Sequence, residues 1–240
     1  MILSIILGII AASADVLGGL ILVRREWPQR YLRYFVALGA GFMLAVAFLE
    51  MVPESLHFSE RWAPVLVLAG YCAIHLLEHT ITPHFHFGEE THSREFVSAH
   101  TGNSVLAGLA AHALFDGVAI GSGFVISNVL GWLIFVAIFL HKMPEGFTVA
   151  SVMMASGRSR RTALVSAIVL ALATVIGVLA ISLLPGWVEA GLPLSAGVAI
   201  YVAATDLVPE VNREPGIRMA LIFFAGVALF LVLKLLAPTI

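Results

Sequence analysis

Apolar runs of about twenty residues, parted by arginine clusters and Gly/Pro-rich turns, recur along the whole chain. A helix needs about 20 mostly apolar residues to cross roughly 30 Å of hydrocarbon. The pattern predicts eight spans, at about residues 1–23, 34–56, 63–82, 103–127, 129–154, 162–184, 191–210 and 217–237. The connections are short, the longest being residues 83–102, and leave no room for a soluble catalytic domain. One transmembrane domain over residues 1–240 is therefore expected. Ala12-Ser13-Ala14 imitates a signal-peptide cleavage site, but no Lys or Arg precedes it, so the first span is expected to be retained.

Composition agrees: 60% of the 240 residues are hydrophobic and 12% charged, and the mean hydropathy is +1.00. A soluble domain carries about 25% charged residues. A single cysteine, Cys72, excludes a disulfide scaffold, and a net charge of −2 excludes a basic nucleic-acid binder. The arginines set the orientation. Loops after odd-numbered spans hold Arg24, Arg25, Arg30, Arg33, Arg94, Arg158, Arg160, Arg161, Arg213 and Arg218, whereas even-numbered loops hold only Arg61. Positive residues favour the cytoplasm, which puts both termini outside. A bacterial inner membrane would suit so short a chain.

The charges left inside the spans carry the chemistry. Eight of the fifteen acids lie there: Asp15, Glu50, Glu54, Glu78, Asp116, Glu145, Asp206 and Glu210. Lys142 is the one deep base, since Lys234 can snorkel from the last turn. An acid at a helix centre costs about 2.5–3.5 kcal/mol on insertion scales, so such a set points to a lined cation route. For Asp15, which stands alone in the first span, pairing with hydroxyls and backbone inside the bundle is the simpler expectation.

The fourth span contains His112-Ala113-Leu114-Phe115-Asp116-Gly117 and the fifth His141-Lys142-Met143-Pro144-Glu145-Gly146. In each, His and acid are four apart and share a helix face. The turn between the spans falls near Ser127–Asn128, so both histidines lie roughly 20 Å from it at 1.5 Å per residue. An antiparallel hairpin then brings His112, Asp116, His141 and Glu145 to one level near mid-membrane. These are four ligands of the kind that divalent transition metals take. Pro144 adds a carbonyl, that of Leu140, freed from its helix bond. The form acid-x-x-Pro-Glu recurs as Glu50 to Glu54 and Asp206 to Glu210, on helices expected to run in opposite directions. That is the pattern of an inverted repeat, with Glu50 and Glu54 towards the outer mouth and Asp206 and Glu210 towards the inner one.

These motifs resemble those of the ZIP (zinc/iron permease, Zrt/Irt-like) family of metal transporters, over essentially the whole chain. The likeness rests on the paired fourth- and fifth-span motifs, on Phe48-Leu49-Glu50-Met51-Val52-Pro53-Glu54, and on Tyr201 through Glu210. It implies an all-α polytopic membrane protein of eight helices in a three-two-three bundle, often a homodimer. It also implies transport of Zn²⁺, or Fe²⁺, Mn²⁺ or Co²⁺, into the cytoplasm, with no organic cofactor and no enzymatic activity. Members with two metals have a polar residue where Ala113 stands and an acid where Lys142 stands. A mononuclear site is therefore expected here, the Lys142 ammonium taking the second cation's place.

The third span holds His75-Leu76-Leu77-Glu78-His79, the His-x-x-Glu-His form of inverted zinc-protease motifs. One rival reading is accordingly an intramembrane metalloprotease, and another is a membrane metal sensor that does not transport. In the transporter reading His75, Glu78 and His79 serve the exit side. The loop that follows, with His84, His86, His92 and His100, is expected to bind emerging metal or to be a plain polar connection.

Overall fold

The computed structural model describes residues 1–24, 29–80, 99–212 and 216–236, and among them every long element is helical. We label the helices α1 (Ile2–Arg24), α2 (residues 29–58), α3 (Ala63–Thr80), α4 (Ala99–Ile126), α5 (Asn128–Ala155), α6 (Arg160–Leu183), α7 (residues 188–212) and α8 (Ile217–Leu236). Seven of the described helical stretches are long and apolar enough to cross a membrane; the apolar part of α3, Ala63–Glu78, is shorter. The chain is an all-α polytopic membrane protein. Helices α4 and α5 are separated by Ser127 alone, whose Oγ caps α5 by accepting the Leu130 N–H at 3.1 Å. Ser159 caps α6 in the same way through the Thr162 N–H, also at 3.1 Å.

Two helices are not uniform. Helix α2 runs as Gln29–Val46, widens into a π turn at Ala47–Met51 and resumes as Val52–Phe58. Helix α7 runs as Val188–Tyr201, widens at Val202–Leu207 and resumes as Val208–Asn212. In each, the N–H before the proline bonds five residues back, Val52 to the Ala47 carbonyl and Val208 to the Ala203 carbonyl. Pro53 and Pro209 favour the widening, since a proline offers no N–H and its ring clashes with the carbonyl four residues earlier. Glu50 and Asp206 each sit inside a widened turn. Helix α5 passes Pro144 without such a turn.

The helices pair through glycines. A side chain on Gly18 of α1 would meet the backbone of Met143 and Phe147 in α5, and one on Gly146 of α5 would meet the backbone of Asp15. Reciprocal pairs join α4 to α6 (Gly117 and Gly177), α2 to α8 (Gly41 and Gly226) and α3 to α7 (Gly70 and Gly197). Without water to drive apolar surfaces together, membrane helices associate by close packing, which small residues permit. The contacts have a pattern: α1 packs on α5 as α6 packs on α4, α8 on α2 as α3 on α7, and α2 on α5 as α7 on α4. Exchanging α1, α2, α3 and α4 with α6, α7, α8 and α5 maps this set onto itself.

One polar tie crosses between α7 and α4, where the Ser195 hydroxyl donates to the Phe115 carbonyl at 3.0 Å. Interhelical bonds of this kind average about 0.6 kcal/mol in membrane proteins. Ser195→Ala is therefore expected to lower thermal stability only slightly, by about that amount, in a melting assay of the detergent-purified protein. A loss of several kcal/mol would mean that the bond organises more of the interface than its two atoms.

Candidate metal centre

His112 and His141 are each the fourteenth residue of a 28-residue helix, in α4 and α5 respectively. Because the helices are antiparallel across a one-residue turn, the two imidazoles meet at mid-length, their ring centroids 5.6 Å apart. Asp116 and Glu145 follow one turn later on the same faces. His112, Asp116, His141 and Glu145 together offer four ligand atoms that all lie within 4.8 Å of one another. Ligands about 2.1 Å from one ion stand roughly 3.4 Å apart in a tetrahedron, so a small contraction closes the set. All four residues are buried, at 4% exposure or less.

The hub is Asp116 Oδ2, 3.2 Å from His112 Nε2 and 3.3 Å from His141 Nε2. His141 Nδ1 lies 3.0 Å from the Ala137 carbonyl. Donation of an Nδ1 proton to that carbonyl leaves the Nε2 lone pair facing the site, the usual arrangement behind a metal-ligating histidine. Both ring nitrogens of His112 and Oε1 of Glu145 have no hydrogen-bond partner among the described residues. Buried polar atoms are nearly always partnered, so the free Oε1 of Glu145 and the single lone pair of the neutral His112 ring mark places where a cation fits. The donors are nitrogen and oxygen only; Cys72 is exposed on α3 and takes no part.

Lys142 lies beneath this quartet and is fully buried. Its Nζ donates to Glu145 Oε2 at 2.6 Å, is 2.9 Å from Asp116 Oδ2 and 3.7 Å from Asp15 Oδ2. Asp15, expected to sit apart from the other charges, thus joins the cluster from α1. The sequence signal for it was only a carboxylate in an otherwise apolar helix. Its partner lies on a distant helix, and the Gly18–Gly146 approach brings the two together.

The other candidate residues lie elsewhere. Glu50 is paired with Lys234 of α8, whose Nζ also donates to the Leu49 carbonyl at 3.4 Å. Glu54 faces His57 at 3.6 Å. On α3, Glu78 accepts a 2.8 Å hydrogen bond from the Tyr201 hydroxyl, and the His75 ring meets the Tyr201 ring edge-on at 5.8 Å. Asp206 is buried, with the Thr205 hydroxyl 3.2 Å away. Glu78, His75 and Asp206 therefore gather around Tyr201 and its neighbours, away from the quartet. The side chains of His79 and Glu210, and residues 81–98 of the histidine-bearing loop, lie outside the described residues.

Comparison with known proteins agrees with this geometry. The profile of the family described as ZIP Zinc transporter matches residues 1–105 and 98–234. The zinc transporter ZIP9 of Micropogonias undulatus is 33% identical over 160 residues, which cover 62% of this chain and 51% of that protein. The zinc transporter SLC39A7 of Mus musculus is 32% identical over 136 residues, covering 50% of this chain and 28% of the relative. The zinc transporter ZIP9-B of Xenopus laevis is 24% identical over 245 residues, with 81% and 80% coverage. The chain thus spans about half the length of the first of these relatives and less of the second. With the profile running over nearly all of its residues and carrying both His/carboxylate motifs, the chain belongs to the ZIP zinc transporter family.

Proposed function

We propose that this chain carries a divalent transition metal, Zn²⁺ foremost, across the membrane into the cytoplasm. The observation that carries the reading is the buried quartet of His112, Asp116, His141 and Glu145, with ligand atoms within 4.8 Å of one another. Imidazole and carboxylate without thiolate also suit Fe²⁺, Mn²⁺ and Co²⁺. Membership of a zinc transporter family supports Zn²⁺ among these. The site holds one ion, the Lys142 ammonium standing where a second would go.

The route follows from the arginine distribution, which supports cytoplasmic odd-numbered loops and outer termini. Glu50 and Glu54 then flank the outer approach, and Asp206, Glu210, His75, Glu78 and His79 the inner one. The symmetric packing and the two matching π turns support an inverted repeat relating α1–α3 to α6–α8 around the α4–α5 hairpin, a three-two-three arrangement. The work is transport rather than catalysis, without an organic cofactor. In the protease alternative Glu78 would be the base, yet its carboxylate is engaged by Tyr201.

The test is ⁶⁵Zn²⁺ uptake into proteoliposomes holding the full chain, against protein-free vesicles. Saturable uptake above that background, competed by unlabelled Zn²⁺, is the expected result. Metal bound with no flux of Zn²⁺, Fe²⁺, Mn²⁺ or Co²⁺ would overturn transport in favour of a sensor.

A further inference from the structure

Both carboxylates of the quartet present one oxygen to a lysine. Lys142 Nζ stands 2.9 Å from Asp116 Oδ2, the oxygen facing both imidazoles, and 2.6 Å from Glu145 Oε2. An ion that takes Asp116 Oδ2 into its coordination shell takes the lone pairs the ammonium now faces. A buried ammonium cannot be left without a counter-ion, since an unpaired charge in a low-dielectric interior is prohibitively costly. Glu145, its charge then shared with the ion, is only part of a counter-ion, and among the described residues Asp15 is the further acid beside the ammonium. Asp15 Oδ2 is 3.7 Å from Nζ, too far for a hydrogen bond, and neither Asp15 oxygen has a hydrogen-bond partner among the described residues although Asp15 is fully buried.

We propose that Asp15 is the second seat of the Lys142 ammonium, which moves from Asp116 to Asp15 when a metal ion enters the quartet. The inference rests on the reading of that quartet as the cargo site. Glu145 is the pivot: Oε2 keeps its bond to Nζ while the unpartnered Oε1 turns to the metal. Nζ gives up the Asp116 contact and closes the gap to Asp15, and no charge leaves the protein interior. The charges balance in the loaded state. Asp15, Asp116 and Glu145 with Lys142 sum to two negative charges, which one divalent ion neutralises. A monovalent ion leaves one charge over, and a second divalent ion adds two, so the lysine and its spare carboxylate favour a single divalent cargo. Asp15 is in this sense a positioning residue that acts on the metal through Lys142.

Equilibrium binding of ⁶⁵Zn²⁺ to the detergent-purified full chain tests this with Asp15→Asn, Lys142→Met, the double variant and His141→Ala. Asp15→Asn strands the ammonium on Asp116, so the Kd should rise roughly tenfold, within the range of ordinary site-to-site coupling. With Lys142→Met there is no ammonium to reseat. That variant should bind at least as tightly as the unaltered chain, and adding Asp15→Asn to it should change the Kd less than about twofold. Such non-additivity is the signature that a purely structural role, or direct ligation by Asp15, would not give. A wild-type Kd in Asp15→Asn, or an equal loss in both backgrounds, overturns the proposal. If Asp15→Asn alone is not monodisperse, the comparison of Lys142→Met with the double variant decides, because the double variant removes both members of the pair. A tenfold loss there also overturns it. His141→Ala separates the two levels: binding lost in it while Asp15→Asn binds normally refutes the lysine shift and leaves the cargo site standing. Binding untouched by His141→Ala refutes the cargo site and the shift together.

Discussion

His141→Ala should lower the initial rate of ⁶⁵Zn²⁺ uptake by about 100-fold or more. Removing only the outer partner of a metal-bound histidine commonly costs about 10–100-fold in metal affinity or activity, and His141→Ala removes the ligand itself. The imidazole is also the group whose Nδ1 contact with the Ala137 carbonyl orients Nε2 towards Asp116 Oδ2. Without it, three ligands and a void remain beside a charged lysine, and the ammonium has less competition for Asp116. Phe139, two residues earlier on α5 and 41% exposed, is a matched control. Its substitution by Ala alters the lipid-facing side of the same helix and should leave uptake close to that of the unaltered chain. His141→Ala protein that is monodisperse and retains half of the flux would show that cargo passes elsewhere.

That the four residues of the quartet could be grouped from the sequence follows from simple geometry. A spacing of four sets His and acid on one face, and a short turn between two helices of equal length sets the two faces at one level. Neither step needs the rest of the protein. The matching acid-x-x-Pro-Glu segments were legible for the same reason, but their backbone was not. Three segments share the Pro-Glu ending, yet Pro53 and Pro209 follow π turns whereas Pro144 lies in an uninterrupted helix. A proline fixes only the loss of one donor and one clash; whether the helix widens, bends or tolerates it depends on neighbours that a local pattern does not include. Lys234 is a similar case. Its place in the last turn of α8 suggested a side chain reaching for the interface, whereas its ammonium pairs with Glu50 on α2.

Contacts between distant segments were hidden altogether. Asp15 and Lys142 could each be seen as an anomaly in an apolar helix, but nothing in the order of residues said that they were one anomaly. The His75-x-x-Glu78-His79 segment shows a different side of the same point. It has the spacing of a metal motif, and what such a spacing does depends on the groups that packing sets against it. Here Glu78 accepts a hydrogen bond from a tyrosine hydroxyl of α7. Chain pattern gives the options of a residue, and packing chooses among them.

The glycines that close the two site motifs show how far packing and chemistry share residues. Gly146→Ala should destabilise the protein by about 2 kcal/mol or more, towards the upper part of the 1–3 kcal/mol usual for overpacking. At roughly 2–4 °C per kcal/mol for a chain of this size, the melting temperature should fall by about 4–8 °C. The added methyl would collide with the Asp15 carbonyl group, and α1 and α5 can accommodate it only by parting. Parting moves Asp15 away from Lys142 and tilts Glu145, so metal affinity should fall together with stability. Gly186→Ala provides the contrast, because among the described residues nothing beyond its own stretch of chain lies within 4 Å of the methyl it would add. It should leave both the melting temperature and the Kd unchanged. If Gly146→Ala melted within a degree of the unaltered chain, the close approach of α1 and α5 would not be what holds Asp15 at the site. If it melted lower but bound Zn²⁺ normally, stability and the metal centre would be separable, and the glycine after Glu145 would serve packing alone.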